Sequence, residues 1–268
     1  MPGWRVAAVT LAAMSTPGVA AQLRDYCPDR PGLATPSCIV DQGHVSIEVG
    51  LVDWTTDKST DTRSDQIIAG DALARLGIGP TTEVQLGWTS YGRLRKRDRT
   101  TGAVTVQQRT GDVSLAIRQN LRNPDGSGFS IAVMPTATVP VGRSPIGAGD
   151  WSAGLRLPTS IALNDRFSIG LTPEIDAAVD ADGSGRHLAF GSVAGVAMKI
   201  SKAVSATFEY SAFRDRDPDP TVRSTQQLAS LSISWQPGDN VQFDLGSVAG
   251  LNRDAPDMEV YFGLSRRF

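Results

Sequence analysis

Apolar and polar residues alternate with a period of two along most of this chain. Val45, Ile47, Val49 and Leu51 share one face of an extended segment, and Ser46, Glu48 and Gly50 share the other. The pattern recurs as Val84, Leu86 and Trp88 against Glu83, Gln85 and Gly87, and as Val113, Leu115 and Ile117 against Asp112, Ser114, Ala116 and Arg118. It returns as Phe167, Ile169, Leu171 and Ile175 against Ser168, Gly170, Thr172, Glu174 and Asp176, and as Val204, Ala206, Phe208 and Tyr210 against Ser205, Thr207 and Glu209. Successive side chains of a strand point to opposite faces, so the pattern predicts strands with one apolar and one polar side.

Turn signals divide these segments. Gly79-Pro80-Thr81, Asn123-Pro-Asp-Gly-Ser-Gly, Asn164-Asp165, Ser201-Lys202 and Gln236-Pro-Gly-Asp predict tight turns. The intervening connections are mostly longer and charged, among them residues 55–63, the basic run 93–99, 142–150 and 214–223. The count comes to about twelve strands, an even number, with short turns at one end and longer loops at the other, as in transmembrane barrels. Aromatic residues sort by height: Phe129, Phe167, Trp235, Phe243 and Phe268 fall toward the tight-turn end, and Trp88, Trp151, Phe190 and Tyr210 toward the other. A soluble β-sandwich also alternates, but it does not need two aromatic girdles. The predicted fold is all-β: a transmembrane antiparallel up-and-down β-barrel over residues 44–268, preceded by a short arm.

The chain start changes the picture by adding export. Trp4 and Arg5 precede a short apolar run, and Gly18-Val-Ala-Ala-Gln supplies the small residues of a signal-peptidase site, so residues 1–21 read as a signal peptide cleaved after Ala21. No segment approaches the roughly 20 continuous apolar residues of a membrane helix. A membrane form must therefore be a closed barrel, which satisfies every backbone donor and acceptor within lipid. The mean hydropathy of -0.15 is compatible with this, because a polar lumen hides the apolar residues at alternate positions. The balance of 26 basic and 28 acidic residues argues against a nucleic-acid partner.

Cys27 and Cys38 are the only cysteines, and both fall in the Pro-rich arm, residues 22–43. In an oxidising compartment they read as one disulfide stapling a periplasmic arm, with two free thiols as the alternative. Nothing accompanies them to make a zinc site.

Charges of both signs fall on the predicted lumen face: Glu48, Glu83, Asp112, Arg118, Arg156, Glu174, Asp176, Lys199, Glu209 and Asp244. Arg118, Arg156, Glu174, Asp176, Lys199, Glu209 and Asp244 are the candidates for lumen-lining solute contacts. The other reading is that such groups pair across a small lumen and fill it. His44-Val-Ser46 puts a histidine and a serine on one strand face, the spacing of outer-membrane phospholipases and lipid A deacylases, but at the strand's periplasmic end, and satisfied polar lumen residues account for it better. His187 stands alone near a predicted loop. No catalytic residue, metal constellation, phosphate-cradling loop or cofactor fingerprint is expected.

The final segment, Glu-Val-Tyr-Phe-Gly-Leu-Ser-Arg-Arg-Phe, alternates and ends on an aromatic, Phe268. It resembles the C-terminal signal of bacterial outer-membrane barrels, which implies that Phe268 is read by the barrel-assembly machinery. Gly111-Asp-Val-Ser-Leu-Ala-Ile-Arg-Gln-Asn-Leu, the stretch 129–142 and Gly147-Ala-Gly-Asp-Trp-Ser-Ala-Gly-Leu-Arg-Leu-Pro together resemble outer-membrane transporters grouped with the phenol meta-degradation pathway. The resemblance runs from about the second strand to Phe268, with Arg266 and the cysteine arm as departures. It implies a channel of the bacterial outer membrane with both termini periplasmic, partnered by outer-membrane lipid and lipopolysaccharide, passing small aromatic or hydrophobic solutes passively. A structural or adhesive surface barrel binding through residues 93–99 is the alternative, with a lipid-modifying enzyme third. The long-chain fatty acid transporters differ in carrying an extended N-terminal plug, for which the arm looks too short.

Overall fold

The computed structural model describes residues 23–268, so the predicted signal peptide and its cleavage after Ala21 lie outside the described residues. Fourteen strand segments form one antiparallel sheet. They are β1 (Val45–Lys58), β2 (Thr62–Gly77), β3 (Thr82–Asp98), β4 (Val104–Arg109), β5 (Val113–Arg122), β6 (Phe129–Val139) and β7 (Ser152–Arg156). Then come β8 (Thr159–Ala162), β9 (Phe167–Val179), β10 (Arg186–Lys199), β11 (Val204–Asp215), β12 (Ser224–Gly238), β13 (Val241–Gly250) and β14 (Met258–Arg267). The sheet closes on itself where β14 pairs with β1, Ser46 facing Arg267 and Thr56 facing Met258. β4 with β5, and β7 with β8, each make one interrupted stave, so the closed barrel has 12 staves.

The barrel is turned inside out relative to a soluble protein. Leu86, Ile117, Phe208, Leu231 and Leu245 face outward and are about half exposed, whereas the largest fully buried side chains are Arg75, Arg118, Glu48 and Glu83. An outward apolar belt and an inward polar face suit a wall between lipid and a lumen. On β14, Phe262 faces out while Tyr261, Ser265 and Arg267 face in, and Phe268, directly after the strand, is exposed. Trp235 and Phe243 stack outside with ring centroids 5.5 Å apart.

Several segments depart from the sequence expectation. The expected loop at 55–63 is strand except for residues 59–61, and the expected basic loop at 93–99 is strand through Asp98. There β3 pairs on one side with β2, Arg97 opposite Arg63, and on the other with β4, Arg95 opposite Val106. Charge does not prevent a strand whose arginines project alternately above the apolar belt. The blurred alternation of β2 has a local cause: Gly70 takes a φ of 67° in the stretch between Ile68 and Asp71 that lies unpaired beside β1, level with the Gly50–Val52 shift in the β1–β14 register, and the parity that faces inward changes there. The stave expected between Trp151 and Leu163 breaks at Pro158, which has no N–H to give to a ladder.

The largest departure is the arm. Instead of hanging beside the barrel, residues 24–41 lie inside it, at the tight-turn end, and hydrogen-bond to the inward faces of strands all around the wall.

Candidate functional site: a lumen in two halves

The half of the lumen nearest the tight turns is filled by the arm. Cys27 and Cys38 are disulfide-bonded and close a loop that sweeps across the barrel. At its base, Arg75 on β2 lies 3.0 Å from each of Asp29, Glu48 and Glu83. Arg118 on β5 lies 2.6 Å from Asp29 and 3.3 Å from Glu83. Both guanidiniums are fully buried, and each also donates to an arm carbonyl, Arg75 to Cys27 and Arg118 to Cys38. A charge removed from water is tolerated only when paired and hydrogen-bonded in this way.

The wall carboxylates also hold the arm's backbone. Glu48 accepts from the amides of Asp29 and Arg30, and Glu83 from that of Val40. Across the lumen, Glu209 on β11 accepts from the amides of Leu33 and Ala34 at 2.7 and 2.9 Å, and from the Ser230 hydroxyl. Gly32 permits this approach: its φ is 119°, and an added Cβ would sit 2.9 Å from the Glu209 carboxylate oxygens. Arg30 spans to Asp244 on β13 at 2.9 Å, and its guanidinium lies 5.4 Å from the centre of the Tyr261 ring. Thr172 both donates to and accepts from the backbone of Thr35.

Above the arm the inner face is open to water. Arg156 and Glu174 pair at 2.8 Å, yet their side chains remain 38% and 19% exposed, against 0% for Arg75 and Arg118. Asp176 continues the same inward row two residues further on, and Asp71 and Ser114 face inward and are exposed. The opposite wall is mixed: Val193, Phe213, Leu228, Val248 and Tyr261 hold inward positions on β10 to β14, with Gln226 and Glu259 inward beside Phe213 and Val248. The β6–β7 loop folds over the mouth, with Ile146 packed on Gly92 of the inner wall. Asp112 pins it by accepting from the amides of Gly142, Ala148 and Gly149. At the loop's end, the Arg186 guanidinium beside Asp150 holds its carboxyl below the usual carboxylate range, and Arg186 also covers the Trp151 ring at 4.2 Å.

The seven lumen candidates thus occupy three settings. Arg118, Glu209 and Asp244 grip the arm, Arg156, Glu174 and Asp176 line the open half, and Lys199 is exposed at the tight-turn rim. His44 and Ser46 are separately engaged: Ser46 is fully buried against the Tyr26 hydroxyl at 2.8 Å, while the His44 ring faces the Gln42 carbonyl. Asp29 and Arg30, the arm's own charged anchors, were not among the sequence candidates. Their signal was an acid–base pair set among prolines and a glycine between two cysteines.

A closed barrel of 12 staves with an apolar exterior and a charged interior is the architecture of outer-membrane channels. The chain belongs to the family described as "Putative MetA-pathway of phenol degradation", whose model matches residues 28–268. No curated protein sequence matches it. Among solved structures it is similar to the NanC porin, with a TM-score of 0.52 at 7% identity over 82% of this chain and 98% of that one. It is also similar to the translocator domain of the autotransporter NalP from Neisseria meningitidis, with a TM-score of 0.51 at 13% identity over 85% of this chain and 89% of that one. At such identities the likeness is one of fold.

Proposed function

We propose that the protein is an outer-membrane channel for passive passage of small aromatic or otherwise apolar solutes, with both termini periplasmic and the arm as its resident constriction. The observation that carries this reading is the contrast between the sealed half of the lumen and the water-accessible half, where Arg156 and Glu174 stay exposed inside a closed wall. The open half sets an apolar cluster, Val193, Phe213, Leu228, Val248 and Tyr261, beside charged and polar groups such as Arg156, Glu174 and Glu259, which suits a ring bearing a hydroxyl or similar group. The family's association with phenol degradation supports the same solute class.

Lipid is the second partner. The outward faces of β1 to β3 pass from Trp54, Ile67 and Tyr91 to Lys58, Arg63, Arg93, Arg95 and Arg97 within a few residues. A groove of about 310 Å³ there is lined by Lys58, Arg63, Arg97 and Arg99, with Asp65 beside it pairing Arg63 at 2.9 Å and Arg95 at 3.8 Å, so the cations outnumber the acid. Set just beyond the apolar belt, this patch suits the phosphates of lipopolysaccharide. The exposure of Phe268, 61%, supports its reading by the assembly machinery.

The test is flux into vesicles of a hydroxylated aromatic acid that crosses bare lipid slowly, compared with a sugar of similar mass. Protein-dependent entry that favours the aromatic solute supports the channel. No entry of either, through the full chain or a chain lacking residues 24–41, sinks it and leaves the second reading, a closed structural barrel. That second reading draws its support from the same densely bonded arm.

A further inference from the structure

His187 stands alone in the sequence, but the fold surrounds it with carboxylates at the mouth of the barrel. Its Nδ1 lies 2.9 Å from Asp180 and 3.5 Å from Asp217, and its Nε2 lies 2.7 Å from Asp215. The imidazole is 95% buried, its side chain being only 5% exposed, and Asp217 is 6% exposed. His187 faces inward near the start of β10, paired with Ala178, and Asp215 faces inward at the end of β11, paired with Ala189. Asp180 and Asp217 come from the loops that follow β9 and β11. Among the described residues, no lysine or arginine lies within salt-bridge distance of these three carboxylates: Arg186 turns to Asp150, and Arg223 donates to the Asp217 backbone carbonyl.

Two features of this arrangement are left unbalanced by the protein alone. Three carboxylates surround one imidazole, so even the imidazolium leaves two negative charges in a largely buried cluster. One N–H on Nδ1 serves one acceptor, yet two carboxylate oxygens face that nitrogen, and the Asp217 oxygen takes its hydrogen bond from the Ala181 amide. A divalent cation resolves both.

We propose that Asp180, His187 and Asp217 form a binding site for a borderline divalent transition-metal ion of the zinc type, with His187 ligating through Nδ1. The donor atoms lie within 4.8 Å of one another, close enough for bonds of about 2.0–2.2 Å to one ion once the Asp180 and Asp217 side chains reorient around it. Asp215 lies 2.7 Å from the other ring nitrogen, out of line for a hydrogen bond as it stands; a small turn of the imidazole onto an ion would align the two as a carboxylate–histidine–metal relay, the usual device for fixing a ligand imidazole's tautomer and orientation. An all-oxygen ion such as Ca²⁺ fits less well, because the central donor is a nitrogen. The bound ion ties the β9–β10 loop to the β11–β12 loop over the start of β10, making the mouth's rim a single unit. This inference is independent of which solute passes, or whether any does.

The experiment is Zn²⁺ titration of the folded, full-length barrel in detergent after chelation and dialysis, with Co²⁺ as a spectroscopic stand-in. Saturable binding of one Zn²⁺ per chain is expected, with Co²⁺ visible bands showing nitrogen and oxygen ligation. His187→Ala and Asp217→Asn should each weaken binding at least about tenfold, and Asp215→Asn by roughly 10–100-fold. Each variant is first shown to fold by heat-dependent gel mobility, and Asp217→Asn serves should His187→Ala fail that check. Zn²⁺ binding that is absent, or as strong in the folded variants as in the native chain, overturns the proposal and leaves a histidine held only by carboxylates.

Discussion

Arg118 on β5 and Asp29 in the arm meet through two parallel hydrogen bonds, Nη1 to Oδ1 at 2.9 Å and Nη2 to Oδ2 at 2.6 Å. The pair joins the wall to a segment 89 residues earlier in the chain. It lies within the cluster of Arg75, Glu48 and Glu83. Removing one partner of a buried ion pair strands the other, at a cost of about 3–5 kcal/mol. Arg118→Ala should therefore destabilise the folded barrel by about that much, read as a lower temperature for loss of heat-resistant gel mobility. Asp29→Ala should act in the same direction, and the double variant should lose less than the sum. Fully additive losses would mean that the pair is not coupled.

The disulfide loop bears on conductance. Reduction, or replacement of Cys27 and Cys38 by serine, frees the loop between them while leaving Arg75 and Arg118 to hold its ends less tightly. Single-channel recordings should then show larger or noisier openings than the oxidised protein, and deletion of residues 24–41 should give the largest. Identical traces for all three forms would show that the arm does not limit ion flow.

Selectivity should follow the open half of the lumen. Asp53, Asp71, Glu174, Asp176 and Glu259 face inward there, with Arg156 as the exposed basic counterpart. The channel is expected to prefer cations, and Arg156→Gln to strengthen that preference. A unit charge about 10 Å from the path in water is worth ~0.4 kcal/mol to a passing ion, at least roughly a twofold change in permeability ratio. Reversal potentials in a KCl gradient measure this. No shift would place the ion path away from Arg156.

The basic patch on β3 predicts salt-sensitive lipid binding. Each arginine near an anionic surface contributes about 1 kcal/mol, so replacing Arg93, Arg95 and Arg97 by glutamine should weaken lipopolysaccharide capture by roughly 100-fold at low salt. Co-purified lipopolysaccharide per chain, native against variant, reads the difference. Equal retention would remove this surface as the lipid site.

The strands were legible because a barrel wall is governed by local chemistry. Val204 to Tyr210 shows its two faces without reference to any other strand, and the tight turns carry their own Pro, Gly and Asn. The extension of β3 to Asp98 was not legible, because seven nearly all-charged residues read as a loop until strands on both sides supply their hydrogen bonds. Glu209 was recognisable as a lumen residue, but its occupation by the Leu33 and Ala34 amides was not. That contact spans 176 residues and involves only backbone on the arm's side. His187 looked solitary for the same reason, since register across β10 and β11, not proximity in sequence, brings Asp215 to it.

The arm also has a consequence for how the molecule is put together. It straddles the seam where the first and last strands meet: the Tyr26 hydroxyl bonds Ser46 on β1, while Arg267 on β14 donates to the Arg24 carbonyl at 2.7 Å. A ring sealed beforehand would have to admit a disulfide-closed loop between walls already bridged by charge. Because these bonds need both strands in place, closing the seam and seating the arm are energetically coupled, and a lumen emptied of its arm would leave the first and last strands held by their ladder alone.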